Sequence, residues 1–403
     1  MALHEKTLLR KLAEINKNIE EKYYEEIDLG LFSGLSGVIL FQFYYANFLN
    51  DKKNYDAGIK TIEKSIKMIN NGYNRFTYCN GLAGLGWSLN HIESLNFIDV
   101  DCDNLLISVD DVLYKIMIED SKKGNFDFLH GALGYAYYFL ARYSCTKNLQ
   151  NKYRNYLINF LELLIEKAEY NPIKNEIKWK SKIPDVKENN GYNFGLSHGI
   201  PSIIAFLTKL VKFDDFKNYK WIISSSINFI FKYKKMQDLN TSYFPSYINE
   251  RGKIVDLNRV AWCYGDLGLG LTLFNASKIL CNKELELQTL EILNNVALRR
   301  SRITSSVTDP SICHGAFGNA TLFKELYRKT SKTKFLETSE FWISKGLEMS
   351  VFKDNSTGFK TWNHSKQNWE FNLSLLAGIS GIGLSIISFL DSTQFKWNQC
   401  LLV

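Results

Sequence analysis

The 403-residue chain is poor in proline, with 5, and holds only 6 histidines. Scarce proline leaves helices free to run without kinks. The opening stretch, Met1–Glu26, is charged throughout and lacks an apolar core, which excludes a secretory signal peptide. Long uncharged runs are scarce too. One of them, Asn372–Leu390 (NLSLLAGISGIGLSIISFL), would just span a bilayer. It is broken by glycines and serines and is one copy of a repeat, so it is expected to be a buried helix. Cysteine is too irregular for a disulfide framework. The 7 thiols are odd in number, and without an export signal they point to a reducing, cytoplasmic setting. No long basic block occurs. Lys and Arg are scattered among Asp and Glu at a net charge of +7, which disfavours nucleic acid; the mild positive field suits an acidic peptide or an anionic membrane surface.

What is present is apolar and repetitive. Hydrophobic residues make up 45% and aromatics 14%, enough for a large core. Seven short segments share one form: GLSGVIL from Gly34, GLAGLGW from Gly81, GALGYAYYF from Gly131, GIPSIIAFL from Gly199, GDLGLGLTLF from Gly265, GAFGNATLF from Gly315 and GISGIGLSII from Gly378. Each has a Gly, usually a second Gly three residues on, then an apolar run. The fourth copy departs, with Ser202 in the second place. Amphipathic stretches lie between them, such as Tyr153–Tyr170 and Phe216–Lys235, with apolar residues recurring at three and four. Each unit is therefore an outer amphipathic helix, a glycine turn and a more apolar inner helix. Inner helices apolar nearly all round favour a closed double ring over an open solenoid. The expected architecture is all-α: an α/α toroid of seven helical hairpins forming one domain, 1–403. Strand-like inserts interrupt its third, fourth and sixth gaps at NEIKWKSKIPD, TSYFPSYINERGKIVD and TGFKTWNHSKQNWEF respectively; the fourth is expected to be a hairpin around Glu250–Gly252, and all three are expected over the mouth of the ring.

The repeats can be aligned on their first glycines. One residue before stand Ser33, Asn80, His130, His198, Tyr264, His314 and Ala377; two before stand Phe32, Cys79, Leu129, Ser197, Cys263, Cys313 and Leu376. Half the histidines fall in these columns, at the mouth of the ring. Cys263 and Cys313 belong to successive repeats, so they are expected side by side, and His314 adds a nitrogen. Two thiolates and an imidazole with one position open match a catalytic zinc site. The plainer alternative makes the two cysteines small buried hydrophobes. Cys79 lies in a distant repeat and is assigned to the core. A glycosidase toroid would need a carboxylate pair at the mouth, and the columns hold none.

The stretches WCYGDLG (Trp262–Gly268), CHGAFG (Cys313–Gly318) and GLSHGIPS (Gly195–Ser202) resemble the signature motifs of the lanthionine synthetase C-like cyclases, and the glycine pattern covers nearly the whole chain. The resemblance implies an α/α toroid with Zn2+ on Cys263, Cys313 and His314. It implies addition of peptide cysteine thiols to dehydroalanine or dehydrobutyrine, closing (methyl)lanthionine rings in lantibiotics. On its residues alone His198 is a helix cap; the resemblance makes it the proton donor to the enolate. It further implies that Asp127 orients His198 or takes the thiol proton, and that Arg259 and Tyr264 stand near the enolate. His130 occupies a place where some relatives carry an acid, and Asp266 and Leu267 depart from commoner residues. The implied partners are a dehydrated precursor peptide with its leader, and a dehydratase and exporter at the inner membrane face. Two other functions fit the same features: a scavenger adding glutathione to dehydroamino acids, and a zinc-stabilised helical-repeat binding protein without catalysis.

Overall fold

Each glycine segment folds as a turn that opens a helix. The computed structural model describes residues 2–182, 190–236, 241–354, 357–363 and 366–403. Among them are seven helix pairs: α1 (Ala2–Lys22) with α2 (Leu35–Leu49), α3 (Lys52–Asn70) with α4 (Leu82–Ser94), α5 (Cys102–Lys122) with α6 (Ala132–Cys145), α7 (Gln150–Glu166) with α8 (Ile200–Leu210), and α9 (Lys220–Phe231) with α10 (Asp266–Ile279). Then come α11 (Lys283–Val296), the short α12 (Arg302–Ser305), α13 (Ala316–Thr330), α14 (Thr333–Glu348) and α15 (Ile379–Leu390).

The outer helix of each pair is amphipathic. In α7 the buried residues are Tyr153, Leu157, Phe160, Leu161 and Leu164, one stripe of a 3.6-residue period. The inner helix is buried almost all round. In α15 every residue from Ile379 to Ser388 is buried. Each fully buried Ile or Leu there contributes about 1.5–3 kcal/mol of transfer free energy.

The second glycine of the turn exists because two backbones meet. A Cβ at Gly318 would fall 1.9 Å from the carbonyl oxygen of Ile312. Gly265 has a second reason: its φ is +92°, where side chains are strained. Ser202 fits the fourth turn by donating its hydroxyl to the Gly199 carbonyl at 2.6 Å.

The chain divides into two compact units, residues 1–110 with 308–399 and residues 111–307 with 400–403. Within the first, backbone hydrogen bonds string the turns together. Cys313 N–H donates to Leu376 O at 3.0 Å, Leu376 N–H to Phe32 O at 3.1 Å, and Phe32 N–H to Cys79 O at 2.9 Å. The last repeat is thereby tied to the first, and α15 packs on α1, α2 and α13. Within the second unit, α8 packs on α6, α9 and α10, and Ser197 N–H reaches Cys263 O at 3.4 Å.

The inserts are strands. β1 (Glu169–Asn171) pairs with β2 (Glu176–Lys178). A four-stranded antiparallel sheet runs β3 (Ser181–Lys182), β4 (Asn190–Asn193), β5 (Tyr247–Asn249), β6 (Ile254–Val255). It joins the third and fourth inserts and includes the hairpin expected around Glu250–Gly252. The third insert beyond Lys182 lies outside the described residues, as do His364 and Ser365 of the sixth. That last insert is the hairpin of β7 (Thr361–Asn363) and β8 (Asn368–Glu370), with Trp362 opposite Trp369.

Two outer helices are shorter than the periodicity suggests. α7 ends at Glu166, and Tyr170 belongs to β1, whose last residue Asn171 precedes Pro172 and is held extended. Ahead of α9, Asp214–Tyr219 winds as a tighter 3-10 helix, and Lys232–Lys235 lies past its end. The run Asn372–Leu390 is helical only from Ile379 and is a buried helix as expected. No helix among the described residues is long and apolar enough to cross a membrane.

Candidate functional site

The turn residues of the second unit bring four expected site residues together. Asp127 lies in the turn before α6 and His198 in the turn before α8. His198 Nδ1 sits 2.6 Å from Asp127 Oδ2. The other oxygen, Oδ1, accepts the backbone N–H groups of Leu129 at 2.7 Å and His130 at 2.8 Å. The carboxylate is thus fixed by its own turn before it meets the imidazole. Burial opposes ionisation of Asp127, but the hydrogen bond and charge of His198, helped by the His130 N–H, outweigh it and hold its pKa below the usual value. Burial likewise opposes a charge on His198, and the Asp127 carboxylate overcomes it, raising the imidazole pKa.

Cys263 is buried and Tyr264 half-buried in the turn before α10. The Tyr264 hydroxyl accepts from Asn193 Nδ2 at 2.9 Å, and its ring lies 6.3 Å from that of His198. Arg259 is half-buried, and its carbonyl packs against Gly265. Its guanidinium makes no hydrogen bond or ion pair among the described residues. His130 is exposed, its ring centroid 6.4 Å from that of His198.

The first unit contributes Cys313 and His314, both half-buried, in the turn before α13. His314 Nε2 lies 3.2 Å from Asp309 Oδ2, and the Asp309 side chain is fully buried. Burial opposes ionisation of Asp309, yet contact with His314 and Ser311 keeps its pKa below the usual value. Cys79 is buried, with its sulfur 3.9 Å from Ser33 Oγ, as a core cysteine should be. The sixth insert reaches this unit's turns too, since Thr361 Oγ1 donates to the Ala377 carbonyl.

The alignment on glycines missed three residues. Asp309 and Asn193 both stand six before their glycine, a column that reads Asp28, Arg75, Asn125, Asn193, Arg259, Asp309 and Asn372. All seven are polar, which was the available signal. The third is Asp266, fully buried at the start of α10. It accepts from Tyr243 N–H at 2.9 Å and Phe244 N–H at 3.2 Å, and pairs with buried Arg299 at 3.3 Å. Burial pushes its pKa up to about 6 against the pull of those donors. It anchors the fourth insert to the inner helix, which accounts for an acid at that motif position.

Comparison with known proteins identifies the family and the fold. The family description "lanthionine synthetase C-like protein" matches residues 25–402. Nisin biosynthesis protein NisC of Lactococcus lactis subsp. lactis is 25% identical over 447 aligned positions, covering 100% of this chain and 96% of the relative. A solved structure titled nisin cyclase superposes with a TM-score of 0.71 at 21% identity, covering 98% of each chain. That match shows the fold, an α/α toroid. By sequence family and by fold, the chain belongs to the lanthionine synthetase C-like proteins.

Proposed function

We propose that this protein is a zinc-dependent lantibiotic cyclase. It adds cysteine thiols of a dehydrated precursor peptide to dehydroalanine or dehydrobutyrine, closing thioether rings. In this reading Cys263, Cys313 and His314 act as one ligand group for zinc. The donor chemistry fits the metal: two soft thiolates and an imidazole suit zinc and leave a tetrahedral position for substrate. Zinc, when bound, lowers the pKa of the substrate thiol so that it reacts as thiolate.

The remaining steps fall to the chain's own side chains. Addition of the thiolate to the β-carbon moves the double-bond electrons onto the amide oxygen as an enolate. The α-carbon then needs a proton, and the thiol has lost one, so the whole addition is isomeric. His198 supplies the proton from Nε2, because Asp127 holds Nδ1 and favours the charged ring. Tyr264, steadied by Asn193, and the guanidinium of Arg259 stabilise the enolate oxygen in this scheme. The observation that carries the reading is the 2.6 Å Asp127–His198 pair. It stands one residue from Ser197, whose N–H bonds the carbonyl of Cys263. The relatives titled nisin biosynthesis protein and nisin cyclase support the same activity.

The test is ring closure itself. A dehydrated, cysteine-containing precursor should keep its mass and lose alkylatable thiols when incubated with the protein, faster than with zinc-stripped protein. Glutathione added to the mixture distinguishes a scavenger, whose product gains the mass of the added thiol. Equal rates and ring patterns with and without protein would leave only a binding role.

A further inference from the structure

The turns of repeats four and six are built alike. Asn193 and Asp309 each stand six residues before the glycine, and each is fully buried. Asn193 Oδ1 accepts the N–H of Gly195 at 2.7 Å, and Asp309 Oδ1 accepts the N–H of Ser311 at 2.9 Å. One side-chain atom is thereby spent on the residue's own turn. The second atom is aimed at a residue standing immediately before a repeat glycine. Asn193 Nδ2 meets Tyr264, and Asp309 Oδ2 meets His314 Nε2 at 3.2 Å. The Asp309 carbonyl also accepts the N–H of Ala316 at 3.0 Å, tying it to the first turn of α13. Asp309 is therefore fixed from both ends before the imidazole is considered.

We infer that Asp309 is a positioning residue for the zinc ligand His314: it accepts the Nε2 proton, sets the tautomer, and makes Nδ1 the metal-binding nitrogen. The inference rests on the zinc reading above and adds the device that orients one ligand. A histidine that binds a metal through one nitrogen needs an acceptor for the proton on the other. A carboxylate there fixes ring orientation and increases basicity at the ligating nitrogen. Asp309 is suited to this because it is buried and pre-fixed. Its contact with Nε2 is close but not ideally aligned, as often holds before a site is loaded.

The experiment uses the whole protein with zinc alone as probe. In zinc-loaded wild type, nitrogen-15 and proton NMR of His314, assigned by comparison with H314N, should show Nε2 protonated and Nδ1 coordinated. Competition with a chromophoric chelator should show Asp309→Asn holding zinc about 10–100-fold more weakly. Asp309→Asn keeps an oxygen for the Ser311 N–H, and circular dichroism checks its fold. Coordination through Nε2 in wild type overturns the inference without any variant. A folded Asp309→Asn that keeps wild-type zinc affinity does so as well. If wild type holds no zinc, the zinc reading fails separately; the metal-free spectrum still shows whether Nε2 carries the proton facing Asp309.

Discussion

Two aspartate–histidine pairs stand in the turns of this protein, and they differ in which nitrogen is held. Asp127 holds Nδ1 of His198 at 2.6 Å; Asp309 lies 3.2 Å from Nε2 of His314. The first pair joins residues 71 apart in sequence, the second residues only five apart. In the first the other nitrogen is Nε2, at the far end of the ring, suited in the proposed scheme to reach a substrate atom. In the second the other nitrogen is Nδ1, close to the backbone, suited to a rigid metal ligand beside Cys313. In the proposed scheme the same two residue types do different work according to where the carboxylate is anchored.

The comparison can be broken most severely at the metal. Cys313→Ala should lose zinc from about one equivalent per chain and stop enzymatic ring closure, read by elemental analysis and thiol alkylation. A wild-type protein with no tightly bound metal would contradict the zinc reading. Asp127→Asn should have a smaller effect, about 10–100-fold on rate, since a general acid contributes roughly 10²–10⁴-fold in total. It should also move the pH profile. Asp127 raises the His198 pKa, so removing its charge should shift the alkaline fall in rate to lower pH. The stability signs follow the same shifts. The His198 contribution is complete below its unfolded pKa of about 6.5 and is lost as pH rises through the folded value. The Asp127 contribution is present above about pH 4 and is lost as pH falls through its folded value. The smallest effect is expected from Tyr264→Phe, which leaves Asn193 Nδ2 without its acceptor and should cost about 1–3 kcal/mol in denaturant unfolding. A fall in ring-closure rate beyond that loss would support its place at the enolate.

Much of this was legible in the sequence because the repeats serve as their own alignment. The glycines mark where backbones touch, so they located all seven inner helices, and the columns beside them contained His198, Cys263, Tyr264, Cys313 and His314. Asp127 lies outside those columns; its link to His198 spans 71 residues, and only the family resemblance singled it out. Asp309 and Asn193 were hidden for a different reason. Their column is uniformly polar but not uniform in residue type, and one side-chain atom of each serves the local turn. Asp266 was noticed only as a departure. Its partner Arg299 is 33 residues on, and nothing in the motif foretells a buried ion pair. Helix ends were least legible, since the strand at Glu169–Asn171 and the tight turn at Asp214–Tyr219 override the apolar period.

The division of labour between the two pairs is tested most directly by His198→Asn. Zinc content and the loss of alkylatable thiols from a dehydrated precursor would be measured on the same preparation. The account predicts zinc at the wild-type level with ring closure slowed about 10²–10⁴-fold. A variant that closes rings at the wild-type rate, or one that loses its zinc while still folded, would contradict it.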